Sequence, residues 1–311
     1  LTLAQYRETL EKDSPEVVLL SPAASPESYF AEYGWLAGKG TAVPGNDTRW
    51  QSDADKLVPD APVTLRWKSP EGVEFAKQIM LDRKYLFTVR MEVKNTSSQA
   101  ITLYPYGRIQ RNFDDNRKHY AVMHEGPLGV FGNKLTDITY KDLREEGAQK
   151  FESKGGWTGF TDKYWLTAMI PDETMQYSAT TQYLRNAKGN EAVGVYQTDI
   201  KGKAVTLEPG ESLALNQRLF AGAKVVSVLD DYRMRLGIPL FDRAVDFGGL
   251  YFLTKPIFTV LDAFYGLVGN FGIAILMLTV LIKAMMYPLA NKSYIAMSQM
   301  KVLMPKIKEL Q

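Results

Sequence analysis

The chain has 311 residues, 23% of them charged, with a formal net charge of +2 and a mean hydropathy of −0.21. So small a net charge gives no indication of nucleic acid as a direct partner. The chain contains no cysteine, which excludes disulfides, thiol catalysis and cysteine metal sites.

Residues 1–60 are rich in turn-forming residues. The stretches "SPAASPES" and "AGKGTAVPGNDTRW" combine proline, glycine, serine and asparagine, which are typical of turns. We therefore expect an irregular lead-in with short strands.

Residues 61–237 predict β-structure followed by one helix. In "YLFTVRMEV", residues 85–93, every second residue from Tyr85 is apolar, and Leu86 falls on the mainly polar face. Turn signals separate further strand-like segments, and no helix alternates with them before Ala223. The fold class is therefore mainly β, a large antiparallel β-sandwich. From Val225 to Leu236 apolar residues recur at helical intervals.

Residues 238–266 mix aromatic side chains with a few charges. The segment is too charged to span a membrane cleanly and too apolar for a solvated surface. An amphipathic helix in a membrane interface fits this composition, and Phe247, Leu250, Tyr251 and Phe252 are its candidate interfacial residues. A helix in the core of the β-domain is the alternative.

Residues 267–289 predict a transmembrane helix. Val268 to Pro288 is 21 residues, about 31 Å of helix, and a hydrocarbon core needs about 20 such residues. Asn270, Thr279 and Lys283 interrupt this run, but they form no polar stripe of the kind that a buried soluble helix shows.

Lys283 is the charged residue of the predicted span. It precedes Pro288 by about 8 Å at ~1.5 Å per residue, so it lies towards one end and not at the bilayer centre. Its side chain could extend to the headgroups, or it could be a cation held in a water-filled cavity. The residues leave both interpretations open.

The charges on either side of the span predict its orientation. Before the span there is a slight acid excess, from Asp242, Arg243, Asp246, Lys255 and Asp262. After it, four lysines face one acid: Lys292, Lys301, Lys306 and Lys308 against Glu309. The positive-inside rule places the tail in the cytoplasm and the β-domain outside, in the periplasm of a Gram-negative cell.

Residues 290–311 continue the helical pattern. Tyr294, Met297, Met300 and Met304 recur at helical spacing, and methionine surfaces adapt to varied apolar partners. Packing against a second helix of the same protein is the alternative use of these methionines. We expect Pro305 to bend or end the helix.

The β-domain contains one cluster of polar and titratable residues, in "NFDDNRKHYAVMHEG". It includes Asp114, Asp115, His119, His124 and Glu125, but their spacing matches no metal or acid–base motif. We therefore expect a polar loop, with no catalytic residue, metal or cofactor. The chain also lacks a glycine-rich phosphate-binding loop.

Three segments resemble the YidC/Oxa-type membrane protein insertases. "VGNFGIAILMLTVLIKAMMYPLANKSYIAMSQMKVLMPKI" resembles the first transmembrane helix of their conserved core and the start of their cytoplasmic helical hairpin. "VDFGGLYFLTKPIF" resembles the interfacial helix before it. "SKGGWTGFTDKYWLTAMIP" resembles the large periplasmic domain of Gram-negative members, which has a β-supersandwich fold.

This resemblance implies a function and a set of partners. Members of the family insert nascent membrane proteins into the inner membrane, alone or with the Sec translocon and its accessory subunits. They receive substrates from the ribosome or the signal recognition particle pathway. Full-length members have one further transmembrane helix before the periplasmic domain and four after the hairpin.

The resemblance also implies a role for Lys283. The family places a basic residue, usually arginine, at this position, in a hydrophilic groove that is open to the cytoplasm and the lipid. Lysine keeps the charge but lacks the planar fork that grips carboxylates with two hydrogen bonds. The competing hypothesis is a membrane-tethered carbohydrate-binding or mutarotase-like domain, in which the helix is only an anchor.

Overall fold

The computed structural model describes residues 1–9, 11–38, 40–114, 123–185 and 193–308, with the side chains of Asp114 and residues 301–308 left out. The chain divides into two compact units, Leu1–Asp246 and Phe247–Gln311. The first unit is mainly β and the second is helical.

The strands of the first unit are, in chain order, β1 (Thr2–Arg7), β2 (Glu16–Val18), β3 (Tyr29–Ala37), β4 (Gln51–Ser52), β5 (Val63–Lys68), β6 (Val73–Leu81), β7 (Leu86–Asn95), β8 (Ile101–Asp114), β9 (Gly126–Phe131), β10 (Lys134–Asp137), β11 (Gln149–Lys154), β12 (Trp157–Thr161), β13 (Trp165–Ile170), β14 (Gln176–Leu184), β15 (Val193–Gly202), β16 (Val205–Leu207) and β17 (Ser212–Ala223). Its helices are α1 (Tyr140–Glu145), α2 (Val226–Arg235) and a 3₁₀ turn (Phe241–Ala244).

Two large sheets form the sandwich. One has nine strands in the order β10-β9-β12-β13-β17-β7-β6-β5-β4, and the other has six in the order β11-β14-β15-β8-β16, with β3 also paired to β8. Strands β1 and β2 form a small separate sheet. The pairings described within these sheets are antiparallel, which confirms the predicted fold class.

The main core lies between the two large sheets. Val89, Met91 and Val93 of β7 are buried on one face, as the alternating pattern predicted. They share a single apolar cluster with Leu103 and Ile109 of β8, from the six-stranded sheet. Alternate side chains of both sheets therefore supply this core.

A second core covers part of the outer face of the nine-stranded sheet. Leu86 and Phe220 pack there against Leu229 and Tyr232 of α2 and against Phe241 of the 3₁₀ turn. Leu86 faces away from the main core, as the alternation predicted, but α2 buries that end of β7. The helix itself lies where its apolar spacing predicted it.

The first 60 residues differ from the expected irregular lead-in. Strand β3 pairs with β8 over nine residues, and it buries Tyr29, Tyr33 and Trp35 in the main core. The aromatic alternation in "YFAEYGW" was the signal for this strand. This part of the chain therefore contributes a strand of the sandwich.

The second unit consists of α3 (Tyr251–Val268) and α4 (Phe271–Lys308). The helix expected over residues 238–266 therefore begins later, because Phe241 and Ala244 of the preceding segment are buried in the second core of the first unit. Helix α4 continues past the predicted boundary at residues 289 and 290, and past Pro305, to Lys308.

The assignment of residue 241 to the β-domain can be tested by truncation. Phe241→Ala should lower the free energy of unfolding of the first unit by about 3–5 kcal/mol, because a buried aromatic ring is lost. Phe252→Ala, at a ring that is 76% exposed on α3, is the matched control and should change it little. All 5 tryptophans of the chain precede residue 166, so their fluorescence follows this unit during denaturation. Equal effects of the two changes would contradict the assignment.

Candidate functional site

Lys283 lies on an apolar helix whose side chains face outward. The stretch Phe271–Met300 of α4 is long and apolar enough to cross a membrane, with a mean hydropathy of 2.0. Among its described residues Ala274 is buried, whereas Leu276, Val280 and Met285 are 66–72% exposed. A helix that is apolar on all sides and not covered by protein is typical of a membrane span.

The lysine has no protein partner among the residues that the structure describes. Its side chain is exposed, and no described carboxylate lies within 4.0 Å of Nζ. It follows Phe271 by 12 residues, about 18 Å along the helix at ~1.5 Å per residue. Thr279 lies one helical turn before it, and the hydroxyl of Thr279 donates to the carbonyl of Ile275 at 2.8 Å.

A tight turn connects the two helices of the second unit. Gly269 ends α3 with φ +65°, and its N–H donates to the carbonyl of Tyr265 at 2.8 Å. This left-handed conformation favours glycine. Asn270 then caps α4, because its Oδ1 accepts a hydrogen bond of 3.2 Å from the N–H of Ile273. The rings of Tyr265 and Phe271 meet across the turn, 5.6 Å between centroids.

The four predicted interfacial residues fall into two groups. Phe247 packs its ring against Tyr251 at 5.7 Å and against Phe258 at 5.6 Å. The hydroxyl of Thr254 also donates to the carbonyl of Phe247 at 2.9 Å, which fixes the entry to α3. Leu250 and Phe252 are instead 58% and 76% exposed. The first group packs at the start of α3, and the second is exposed on it.

The tail residues lie on the same continuous helix. Tyr294, Met297 and Met300 are 72%, 56% and 64% exposed. Met304 lies within α4, but its side chain is outside the described residues. The described methionines therefore present a flexible apolar surface that no described residue covers.

The polar cluster of the β-domain lies partly outside the described residues. Asp115 and His119 belong to the segment left out, and so does the side chain of Asp114. His124 is held by contacts to its own domain: its Nε2 lies 3.0 Å from the carbonyl of Pro127, and its N–H donates to Asp246 at 3.2 Å. Within the described ranges, no group of three or more potential ligands could hold a metal ion.

A buried ion pair that the sequence did not predict lies inside the sandwich. The guanidinium of Arg111 on β8 donates to Asp162 at 2.9 Å and lies 4.6 Å from the ring centre of Tyr29. Burial acts to lower the pKa of Arg111, but Asp162, Tyr140 and Tyr29 together outweigh burial and raise it. The two residues are 51 positions apart, so no local pattern indicates the pair. It ties the six-stranded sheet to the turn between β12 and β13.

Lys224 lies beside the same carboxylate at the end of β17. Its Nζ donates to Thr161 Oγ1 at 2.9 Å. Burial lowers its pKa from 10.5 to about 8, and the nearby Asp162, Asp246 and Glu125 oppose that shift. In the folded protein this lysine therefore loses its proton near pH 8.

The lowered pKa of Lys224 predicts a pH dependence of stability. Between about pH 8 and 10 the unfolded chain keeps the proton that the folded protein has released, so the cost of burying the charge is relieved as the pH rises. Lys224→Gln should reduce the gain in unfolding free energy from pH 8 to pH 10 by about 1–2 kcal/mol. Denaturant titrations at both pH values measure the free energy of unfolding, and Lys150→Gln, at an exposed lysine, is the control. The same pH dependence in both variants would refute the assignment.

Two family models together match all but two residues of the chain. The model described as the YidC periplasmic domain matches residues 1–260, and the model described as 60Kd inner membrane protein matches residues 263–311.

Curated relatives match the whole chain but extend beyond it. The membrane protein insertase YidC of Rickettsia bellii (strain OSU 85-389) is 42% identical over 312 residues, which are 100% of this chain and 55% of that protein. The membrane protein insertase YidC of Granulibacter bethesdensis (strain ATCC BAA-1260 / CGDNIH1) is 45% identical over 317 residues, 100% of this chain and 54% of that protein. The chain thus spans about half the length of these relatives.

Among solved structures, a galactose mutarotase-like protein from Lactobacillus casei ATCC 334 is similar with a TM-score of 0.40 and 12% identity, over 62% of this chain and 84% of that one. A likeness this distant supports no inference about carbohydrate chemistry. The family models and the curated relatives agree with each other and with the sequence resemblance: the chain belongs to the YidC family of inner-membrane proteins.

Proposed function

We propose that the whole protein is a membrane protein insertase, and that Lys283 takes part in moving polar segments of its substrates into the bilayer. The observation that carries this proposal is the position of Lys283. It is a cation without a described carboxylate partner, on the outward face of a helix that is otherwise apolar.

The cost of the lysine supports a functional role over a simple anchor. A lysine near the bilayer centre costs about 2.5–3.5 kcal/mol on insertion scales, and a shorter distance to the headgroups lowers that cost. A helix that served only as an anchor would gain from an apolar residue at this position. Residues of this kind usually face a water-filled cavity or a partner.

The mechanism would need no covalent step and no nucleotide. A hydrophilic groove around Lys283, completed by further helices of the whole protein, would hydrate the membrane locally. The positive charge would then attract acidic or polar parts of the substrate segment that is to cross. Because lysine is a point-like donor, the attraction would depend on charge more than on paired hydrogen bonds.

The charge distribution supports the topology. Lys292, Lys301, Lys306 and Lys308 follow the apolar stretch, so the positive-inside rule places the tail in the cytoplasm. The first unit would then lie in the periplasm, and α3 would rest in the outer interface through Leu250 and Phe252.

The partners follow from this topology. The substrates are nascent membrane proteins, which would arrive on the cytoplasmic side from the ribosome or the signal recognition particle pathway. The exposed Tyr294, Met297 and Met300 are positioned to contact apolar segments there. Cooperation with the Sec translocon and its accessory subunits belongs to the same proposal.

The topology predicts a protease pattern. A protease added to the outside of intact spheroplasts should cleave the first unit but leave the tail after residue 290 intact. Rupture of the membrane, as the control, should expose the tail as well. Cleavage of the tail in intact spheroplasts would refute the proposed orientation.

The role of Lys283 predicts a charge-dependent activity. In the whole protein, Lys283→Glu should slow the insertion of a substrate with an acidic outer segment roughly fivefold or more, which corresponds to about 1 kcal/mol of lost attraction. Lys283→Arg should keep most of the rate because it keeps the charge. The insertion rate is measured in vesicles that contain the reconstituted protein. A substrate with a neutral outer segment is the control. Equal rates for the two variants would exclude an electrostatic role.

A further inference from the structure

One end of the β-sandwich carries a cluster of aromatic side chains. Tyr6 of β1 packs edge-on against Trp165 of β13 with 5.1 Å between ring centroids, and Trp165 meets Tyr164 at 6.3 Å. Tyr85, in the turn between β6 and β7, belongs to the same end, because its hydroxyl donates to Gln5 of β1 at 3.3 Å. These rings and a neighbouring aliphatic residue form what we call the aromatic patch: Tyr6, Tyr85, Tyr164, Trp165 and Val225.

The backbone fixes the patch to the ends of the strands. The carbonyl of Tyr164 accepts a hydrogen bond of 2.8 Å from the N–H of Lys224, and the carbonyl of Tyr85 accepts one of 3.1 Å from the N–H of Ala221. Tyr85 has φ +70°, a conformation that is rare for a bulky residue. Its side chain lies against Gly222, where an added Cβ would come within 2.7 Å of it. The chain therefore tolerates backbone strain that holds the Tyr85 ring in the patch.

Two side chains of the patch are exposed and three are anchored. Tyr164 and Val225 are 58% and 40% exposed. Tyr6, Tyr85 and Trp165 are half-buried and pack against the main core. Because the core fixes these three rings, the patch is preorganised and loses little conformational freedom when it meets another surface.

The chain leaves the first unit near this patch. Asp246 is the last residue of that unit, and it is close enough to Lys224, the neighbour of Val225, to act on its charge. The carboxylate of Asp246 also accepts a hydrogen bond of 3.2 Å from the N–H of His124, which fixes its place. Helix α3 begins at Tyr251, five residue steps later, or at most about 17 Å of extended chain.

We propose that the aromatic patch contacts the headgroup layer of the bilayer that α4 crosses. Tyrosine and tryptophan favour this layer, because the ring is apolar while the hydroxyl or the indole N–H stays hydrated. Lys163, whose Nζ lies 4.8 Å from the ring centre of Tyr164, adds a cation of the kind that lipid phosphates attract. The inference rests on the proposed interfacial position of α3, since the short connection keeps the exit of the first unit near that helix.

The size and composition of the patch favour a lipid surface over a protein partner. A stable protein interface uses roughly 20–30 residues on each side, far more than the five residues of the patch. A membrane that is already bound through α4 is present at a high effective concentration, so a small contact is enough. The exposed members are a tyrosine and a valine, which suit shallow contact in the headgroup layer.

The test uses site-specific fluorescent labels. The chain contains no cysteine, so one introduced cysteine at a time can carry the label. Arg83→Cys lies in the exposed turn beside Tyr85, and Ser98→Cys lies in an exposed turn at the other end of β7. The 311-residue chain is placed in nanodiscs whose lipids carry a nitroxide quencher on the headgroup. Quenching should be at least about threefold stronger at position 83 than at position 98.

Variants of the exposed patch residues separate contact from mere proximity. With the label at position 83, Tyr164→Ser combined with Val225→Ser should reduce quenching about twofold or more, because the apolar contact with lipid is lost. Leu36→Ser with Tyr104→Ser is the matched control, at a cross-strand pair on β3 and β8, and it should leave quenching unchanged. Tyr164→Trp keeps an interfacial ring and should retain it. The denaturation midpoint confirms that each variant is folded.

A third label separates this inference from the proposed function. Phe252→Cys reports whether α3 lies in the interface. Quenching at position 252 without quenching at position 83 would overturn the patch and leave the position of α3 standing. Quenching at position 83 that depends on Tyr164 and Val225, without quenching at position 252, would refute the position of α3 and support the patch.

Two further outcomes would overturn the proposal. One is equal quenching at positions 83 and 98, which would mean that the first unit presents no preferred end to the bilayer. The other is unchanged quenching at position 83 in the Tyr164 and Val225 variant, which would mean that the short connection alone keeps this end near the lipid.

Discussion

The outward-facing apolar surface of α4 is the constraint on which the organisation of this chain depends. In water such a surface would collapse or aggregate, so it needs lipid or further protein to cover it. Tyr294, Met297 and Met300 carry the apolar surface further along the same continuous helix. A single charge at Lys283 is then meaningful, because every neighbouring side chain suits a lipid environment and this one does not.

The first unit buries its apolar side chains, whereas α4 exposes them. The two faces of its nine-stranded sheet are covered in different ways. The inner face packs on the six-stranded sheet, whereas the described residues cover the outer face at one end, where α2 and the 3₁₀ turn bury Leu86, Phe220 and Phe241. The other end carries charged side chains beside small ones such as Ala76 and Ala214, and it contains a cleft of about 730 Å³.

Local periodicity predicted the parts of the structure that depend on local sequence. The alternation of β7, the spacing of α2 and the apolar length of α4 could all be predicted because each reflects the environment of one segment. The face of Leu86 was predicted, but its burial depends on a helix more than 130 positions later, and β3 was missed because turn residues surround it. The Arg111–Asp162 pair and the cleft depend on strand register, which no single segment specifies. Lys283 could be identified from the sequence, whereas its role depends on parts of the whole protein that α4 alone does not supply.

The central claim is that Lys283 faces the path of the substrate, and site-specific crosslinking tests it most directly. A photoreactive residue is placed at position 283 of the whole protein, and another at position 281, which lies about 200° around the helix. Arrested ribosomes present a membrane protein segment with an acidic outer region. The account predicts crosslinks to the nascent chain from position 283 and few from position 281. Crosslinks only to lipid from position 283, or equal crosslinks from both positions, would contradict it.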